Sequence, residues 1–495
     1  MPDPYDAVVI GSGPAGQNCA RGLARGGLRV AVVERELVGG ECDYWACMPS
    51  KTLLRPGQIV AEAAAAPGAR EALGGRIGVA QALGWRDYMV SGWDDGEHAR
   101  ALVEAGVELW RGEGRIGGPG VVLAGERELA AREIVVATGS EATLPPVDGL
   151  PELDGVWTSR EATALKDVPR SLLVLGGGPV GVELAQAVHR LGAQVTVVES
   201  AGHLLPHEPA ALGEALGEAL RADGIEVVTG VAATRARREG GDAESGRRDP
   251  SGGGERPAGD RRDPSGGGER PAGGGSERAD GGGDFVLALD DGSERRAERL
   301  LVATGRRPRV AGIGLEAVGI EPDPQGLLVD AQLRTPADGV WAVGDVTGIW
   351  PLTYVGTYQA RVATANVLSA CAGRDPVREA RYDAVPRVVF TDPQAASVGA
   401  AEGAASATVQ LSQAPRSSTW LRDYTAPPWF VALLSDGERL TGAHALGPEA
   451  GEWLQQATLA IRARIPLDVL EDTIQPFPTF AEVFRYALAE LRGKL

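Results

Sequence analysis

Cys42 and Cys47 are the residues whose type and spacing most directly suggest chemistry, in the string Gly39-Gly40-Glu41-Cys42-Asp43-Tyr44-Trp45-Ala46-Cys47-Met48-Pro49-Ser50-Lys51. Neighbouring thiols can cycle between dithiol and disulfide, or they can ligate a metal. On a regular helix five residues turn the chain by about 500°, which sets the two side chains about 140° apart, so a bond between them needs a distorted turn. Such distortion suits a reducible disulfide better than a structural one. A zinc site would call for a second Cys or His pair at ligand spacing, and the sequence offers none, so no metal is expected. Four cysteines in 495 residues make no disulfide scaffold, and Cys19 and Cys371 are read as small core or surface residues.

The elements that must position this pair come in duplicate. The apolar run Ala7-Val8-Val9-Ile10 leads into Gly11-Ser12-Gly13-Pro14-Ala15-Gly16, then an Ala/Leu/Arg helix, then Arg29-Val30-Ala31-Val32-Val33 ending at Glu34. The second copy runs Leu172-Leu173-Val174-Leu175, Gly176-Gly177-Gly178-Pro179-Val180-Gly181, a helix, and Gln194-Val195-Thr196-Val197-Val198 ending at Glu199. In both copies the acid lies 18 residues beyond the last glycine, close to the spacing of about 20 in dinucleotide-binding fingerprints. Glycines let the backbone approach a pyrophosphate, and the helix N-terminus offers free N–H groups to it. Gly11, Gly13 and Gly16, and again Gly176, Gly178 and Gly181, are therefore cofactor-binding candidates. Glu34 and Glu199 would each accept hydrogen bonds from an adenosine ribose, and Glu199 would repel a 2′-phosphate. A third matching element closes each half: Val135-Val136-Ala137-Thr138-Gly139 and Leu301-Val302-Ala303-Thr304-Gly305.

The length predicts two to four domains. No run of about 18 apolar residues occurs, and Met1-Pro2-Asp3-Pro4 lacks the basic-then-apolar start of a secretory signal, so a cytoplasmic protein is expected. A formal net charge of −18 argues against binding nucleic acid or anionic lipid through a basic face. Residues 240–283 are built almost wholly from Gly, Arg, Asp, Glu, Ser, Pro and Ala and contain a thirteen-residue tandem duplication, Arg247–Gly259 and Arg261–Gly273. Such a segment buries no core, so it is expected to be a disordered, passive extension of a surface loop between strands at Ile225–Val228 and Phe285–Leu289. Beyond Ala380 the pattern becomes α+β, with strands at Val388–Phe390 and Phe430–Leu434 and an amphipathic helix over Glu449–Arg464.

The Gly-Gly-x-Cys-x4-Cys-x-Pro-Ser-Lys string closely resembles the redox motif of the flavoprotein disulfide reductases, the family of dihydrolipoamide dehydrogenase, glutathione reductase and mercuric reductase. The similarity spans nearly the whole chain except the low-complexity insert. It implies an α/β architecture of two Rossmann-like dinucleotide-binding domains plus a C-terminal α+β dimerisation domain. The expected boundaries are residues 1–150 for FAD, 151–305 for NAD with the insert at 240–283, 306–379 for a central continuation of the FAD domain, and 380–495 for dimerisation. By resemblance the first fingerprint with Glu34 holds FAD, together with Gly40, Lys51, Gly114, Thr138 and Gly139. Gly344 and Asp345 form the second FAD motif, with Asp345 on the ribityl chain. The second fingerprint, with Glu199 and Gly305, then holds the nicotinamide cofactor. NADPH users of the family carry arginines just after that second strand, where this chain has Glu199-Ser200-Ala201-Gly202, which implies NADH. Lys51 and Glu183 match the family's ion pair beside the flavin N5. Cys47 matches the thiol facing flavin, and Cys42 the interchange thiol facing substrate.

One departure bears on the acceptor. The family carries His-Pro-Thr-x-x-Glu near the C-terminus, its His acting on the interchange thiol across the dimer interface, whereas this chain reads Phe477-Pro478-Thr479-Phe480-Ala481-Glu482. The other histidines, His98, His189, His203, His207 and His444, lie elsewhere in sequence, and His444 is read as structural. Tyr44 and Trp45 replace the family's smaller groups between the cysteines, to narrow the substrate face or to pack. The expected function is a homodimeric NADH oxidoreductase with FAD and a Cys42–Cys47 disulfide that serves a non-standard acceptor: a quinone, a metal ion or a carbon electrophile. Mercury is disfavoured, because the chain ends Leu491-Arg492-Gly493-Lys494-Leu495 without a cysteine pair. Two other readings stay open: a conventional low-molecular-weight disulfide reductase in which Glu482 or water moves the proton, and a non-catalytic flavin redox sensor.

Overall fold

A computed structural model describes residues 4–239, 283–413 and 429–495. The strands that precede and follow the first glycine loop, Tyr5–Ile10 and Val30–Glu34, pair in parallel, with Val107–Arg111 outside the second and Arg127–Val136 on the far side of the first. The short strand Val340–Ala342 pairs in parallel with Arg127–Val136. This gives a five-stranded parallel sheet, and an antiparallel meander, Gly114–Gly118 and Val121–Ala124 with the start of Arg127–Val136, extends from it. The Val and Ile residues of Tyr5–Ile10 and Val30–Glu34 are almost wholly buried, as parallel strands covered on both faces must be, each side chain adding about 1.5–3 kcal/mol.

The second copy builds a four-stranded parallel sheet in the order Glu226–Thr229, Gln194–Glu199, Ser171–Leu175, Arg299–Val302. The correspondence between the halves extends to individual atoms. Gly11 and Gly176 both have positive φ, 98° and 112°, and at either one a Cβ would overlap the carbonyl of the closing element, Ala137 or Ala303. A Cβ at Gly16 would overlap Gly11 O, and one at Gly181 would overlap Gly176 O, because each helix packs directly on the turn that precedes it. Pro14 and Pro179 open the two helices, Pro14–Arg25 and Pro179–Arg190, at the position where a missing N–H costs nothing.

Between the strands Glu226–Thr229 and Arg299–Val302 the chain adds an antiparallel trio, Ala233–Glu239, Asp284–Leu289 and Glu294–Ala297. The strand Ala233–Glu239 was not expected from sequence, since its run of arginines hides the alternation. Glu239 and Asp284 are register partners, so the low-complexity insert leaves and re-enters at the tip of a hairpin. The expected disorder of residues 240–282 lies outside the described residues, while Gly283 already accepts a hydrogen bond from Arg238 Nε at 3.2 Å. Replacing residues 240–282 by a single Asn would leave Asn-Gly283, a two-residue hairpin loop. That variant is expected to fold and to melt within about 4 °C of the full chain, since loop length changes closure by only about 0.6 kcal/mol per doubling. Loss of soluble protein in thermal unfolding would show the segment to be structural.

The C-terminal part is a five-stranded antiparallel sheet, in the order Arg387–Val389, Gln394–Gly399, Leu440–Gly447, Phe430–Ser435, Ala405–Gln410, backed by the helix Glu482–Gly493. The helix expected over Glu449–Arg464 is two helices, Ala450–Trp453 and Gln455–Ala463. Glu449, just after Pro448, takes left-handed φ (51°) instead of joining the first, and the Trp453 indole donates back to Pro448 O at 2.9 Å. No described helix is long and apolar enough to cross a membrane.

Candidate active site

The thiol pair sits where a helix is interrupted. Gly40–Tyr44 is a short helix, Trp45 (φ −138°, ψ 7°) and Ala46 (φ −135°, ψ −99°) leave helical geometry, and Cys47–Ala65 resumes it. This is the distortion the spacing demanded, and it turns both sulfurs toward one hydroxyl: Thr353 Oγ1 lies 3.3 Å from Cys42 Sγ and 3.4 Å from Cys47 Sγ. Both cysteines are thiols in this structure. Their acidities are pushed apart. The hydrogen bond shared with Cys42, the Thr353 hydroxyl and the Lys51 charge together outweigh burial and lower Cys47 to about 6. The same shared hydrogen bond, with burial and the neighbouring negative charge, pushes Cys42 up.

Behind Cys47, Lys51 Nζ donates to Glu183 Oε2 at 2.6 Å. Glu183 is buried, on the helix of the second fingerprint, and its other oxygen accepts from Phe390 N at 2.9 Å. The Lys51 ammonium also lies 4.8 Å from the centre of the Phe390 ring. The expected pair is thus made by three parts of the chain at once.

The pair opens on a cleft of about 1150 Å³. From the first fingerprint and its surroundings, Gly11, Gly13, Glu34, Gly40, Gly114, Thr138 and Gly139 line it, as do Gly344 and Asp345. Gly16 does not, because it lies beneath the turn. Glu34 is fixed at the strand end, accepting from Ser12 N at 2.8 Å, Ser12 Oγ at 2.7 Å and Glu36 N at 2.8 Å. Asp345 accepts from Ser140 Oγ at 2.6 Å, and that hydroxyl accepts from Arg306 Nε at 2.9 Å. Of the second fingerprint only Pro179 and Val180 reach this cleft, with Glu183. Gly176, Gly178, Gly181, Glu199 and Gly305 lie outside this cleft; a Cβ at Gly181 would overlap Gly176 O, and Glu199 accepts from Gly177 N at 2.7 Å and Ala201 N at 2.8 Å.

Phe477 and Glu482 are not brought to the cleft within one chain. Phe477 is 63% exposed on the C-terminal part, and Glu482 is 8% exposed with its carboxylate 3.4 Å from Arg485 Nη2. His444 is buried in its strand beside Phe430, and burial lowers it to about 4, so it stays neutral at physiological pH. Between the cysteines, Tyr44 is buried with its hydroxyl on Val38 O at 3.3 Å. Trp45 lines the cleft under the Arg160 guanidinium, 4.0 Å from its ring centre.

Sequence reading missed Thr353, Arg160, Arg306, Arg309 and Phe390. Arg160 donates to Glu41 Oε1 at 2.6 Å and to both oxygens of Glu36, and Arg309 Nη2 reaches Glu41 at 3.2 Å, tying the redox turn to both chain crossings between the nucleotide folds. The one local signal for Thr353 was its place at the start of a helix, Thr353–Cys371, just beyond the Val343-Gly344-Asp345 motif.

The residues present fit the cofactors that the two folds call for. Neither fingerprint helix has a side-chain cap at its N-terminus, so the N–H groups there remain for an anion. Two dinucleotide folds meeting at a dithiol and a lysine–glutamate pair define a flavoprotein oxidoreductase with a redox disulfide. The chain belongs to the pyridine nucleotide-disulphide oxidoreductase family, which it matches over residues 5–252 and 274–364, followed by that family's dimerisation domain over residues 385–488. It is 33% identical to a dihydrolipoyl dehydrogenase 3 of Pseudomonas aeruginosa, over 100% of this chain and 99% of that one. It is 32% identical to a mercuric reductase of Acidithiobacillus ferrooxidans, over 97% of this chain and 81% of that one. The HOCl-induced flavoprotein disulfide reductase RclA of Escherichia coli, in its Cu(II) complex, shares the fold with a TM-score of 0.78 at 23% identity, over 100% of both chains.

Proposed function

We propose that this protein is a homodimeric, cytoplasmic NADH oxidoreductase that passes electrons by way of FAD to the Cys42–Cys47 pair and on to an acceptor other than an ordinary low-molecular-weight disulfide. The observation that carries the reading is the placement of both sulfurs and the Lys51–Glu183 pair at the floor of the cleft bordered by the first glycine cradle. In this reading the Gly11–Gly13 loop and the N-terminus of Pro14–Arg25 hold a pyrophosphate, Glu34 binds the adenosine ribose, and Asp345, oriented by Ser140 and Arg306, binds the ribityl chain. Bound there, FAD supplies the two-electron relay between nicotinamide and sulfur. Glu183 fixes the Lys51 ammonium beside Cys47, where its charge favours the thiolate. Trp45, with the Arg160 guanidinium over its ring, forms part of the cleft wall.

The acceptor follows from Phe477. In the dimer that the C-terminal domain implies, a second copy covers the exposed apolar side chains Ile474 and Phe477 and carries its own Phe477 to the interchange thiol. A phenyl ring moves no proton, so acceptors that demand little proton transfer are favoured: quinones, metal ions or carbon electrophiles.

NADH is the expected donor because Glu199, buried and held by two backbone N–H groups, offers a carboxylate to a ribose hydroxyl and repels a phosphate. NADPH should therefore reduce the flavin with at least about tenfold lower kcat/KM, a loss of about 1.4 kcal/mol. Stopped-flow absorbance tests both statements together: rapid reduction by NADH, then reoxidation by added menadione, excludes a passive sensor. An NADPH efficiency equal to or above that of NADH would overturn the donor assignment.

A further inference from the structure

The interchange sulfur has a problem that the reading above leaves open. When the pair is reduced, the negative charge resides on Cys47, yet it is Cys42 that must attack an acceptor, and within one chain no imidazole stands at the pair to take its proton. The five histidines of the chain include none that lines the cleft. The two sulfurs share a hydrogen bond with each other, and a hydroxyl touches both.

We propose that Thr353 is a catalytic residue whose hydroxyl, by donating to Cys42 Sγ, lets the negative charge pass from Cys47 to Cys42. Its Oγ1 lies 3.3 Å from Cys42 Sγ and 3.4 Å from Cys47 Sγ, within the reach of hydrogen bonds to sulfur on both sides. A threonine hydroxyl has one proton to give and lone pairs to receive another. In the step, the Cys42 Sγ–H proton passes to Cys47 Sγ along the hydrogen bond that the sulfurs share, while the Thr353 hydroxyl donates to Cys42 Sγ. One S–H bond breaks and one forms, the hydroxyl keeps its proton, and no electrons change hands. The charge moves from Cys47 to Cys42, leaving a thiolate where the acceptor arrives and a neutral thiol behind it.

The position of the hydroxyl is built rather than incidental. Trp350 takes a left-handed φ of 45°, Leu352 is extended, and Thr353 opens the nineteen-residue helix Thr353–Cys371. The adjacent Tyr354 anchors that opening by donating its phenol to Pro386 O at 2.5 Å, and Thr357 Oγ1 donates to Thr353 O at 2.9 Å. The helix N-terminus also favours negative charge here, but it does so through the backbone, which a side-chain substitution leaves in place.

This inference rests on the pair being redox-active, and its test separates the two. The holoenzyme is reduced with dithiothreitol, then treated with iodoacetamide across pH 5–9, and the carbamidomethyl group is located on the peptide spanning the pair by fragmentation mass spectrometry. In wild type, both sulfurs should be modified, with Cys42 reacting near neutral pH. In Thr353→Ala, Cys42 modification at pH 7 should fall about tenfold or more and its pH profile should move up by about one unit, the loss of a hydrogen bond to a charged sulfur. Thr353→Ser, which keeps the hydroxyl, should restore the wild-type profile, and FAD content serves as the check that both variants fold. A Thr353→Ala profile identical to wild type would overturn the role given to Thr353, as would failure of Thr353→Ser to restore it. If the oxidised wild-type protein instead shows two freely alkylated thiols and no disulfide, the redox pair fails and the role of Thr353 fails with it.

Discussion

The Phe477→His variant is expected to gain turnover with lipoamide and glutathione disulfide by about 10²-fold or more over the wild-type chain, the range a positioned imidazole contributes to proton transfer. When a thiolate opens a disulfide, the departing thiolate must be protonated, and phenylalanine has no proton to give. Its apolar ring also disfavours charge on a nearby sulfur. The wild-type protein should therefore accept electrons from NADH at a normal rate and stall when a simple disulfide is the only acceptor. Glu482 does not remedy this, since its carboxylate is buried and turned to Arg485 at 3.4 Å. The gain from this one substitution requires the introduced ring to lie within reach of Glu482. Steady-state assays with each disulfide, set against stopped-flow rates of flavin reduction, decide the matter. Wild-type turnover of lipoamide as fast as its flavin reduction would make the conventional disulfide reductase the better description.

Two-electron reduction at pH 7 should give a long-wavelength absorption band that depends on a thiolate at Cys47, and the Cys47→Ser variant should lose that band while keeping its FAD. Cys47 is lowered to about 6 from the usual thiol range, so its anion persists above that pH and is lost as pH falls through it. The band should accordingly be full at pH 7.5 and fade below pH 6. Removing Cys42 takes away the first cause of the lowering, the hydrogen bond between the sulfurs, and the band of Cys42→Ser should titrate closer to an ordinary thiol. Lys51→Met removes the charge and should shift the titration in the same direction by less. Turnover should drop by more than about 10³-fold in either cysteine variant, since the two act as a unit. A reduced wild-type protein with no such band at any pH would end the case for Cys47 as the flavin-side thiol.

The parts of this molecule that were legible in the sequence are those where a local backbone demand selects a residue type. Gly11 and Gly176 must adopt positive φ against a neighbouring carbonyl, Gly16 and Gly181 must let a helix touch its own turn, and Pro14 and Pro179 must start helices. Each demand writes a letter at a fixed offset, and the duplication made the letters readable. The need for an irregular turn between Cys42 and Cys47 was legible for the same reason, because helical rotation is a local property. Thr353 and Phe390 were not, since their relation to the pair exists only after chain segments hundreds of residues apart have packed. The arginines around Glu41 were hidden similarly: in sequence they resemble any solvated charge, and only the fold shows Arg160, Arg306 and Arg309 converging on its carboxylate. The strand Ala233–Glu239 was obscured by its arginines, of which Arg237 pairs with Glu239 and Glu294 and Arg235 with Asp148.

The contact of Phe390 with Glu183 has a consequence for how the protein comes into being. During synthesis the first glycine loop, the cysteine turn and the helix bearing Glu183 all leave the ribosome well before residue 390 does. Until then Glu183 lacks the amide that holds one of its oxygens at 2.9 Å, and Lys51 lacks the ring beneath its ammonium. A nascent chain can therefore carry its glycine loops and its thiol pair without possessing a finished reaction centre.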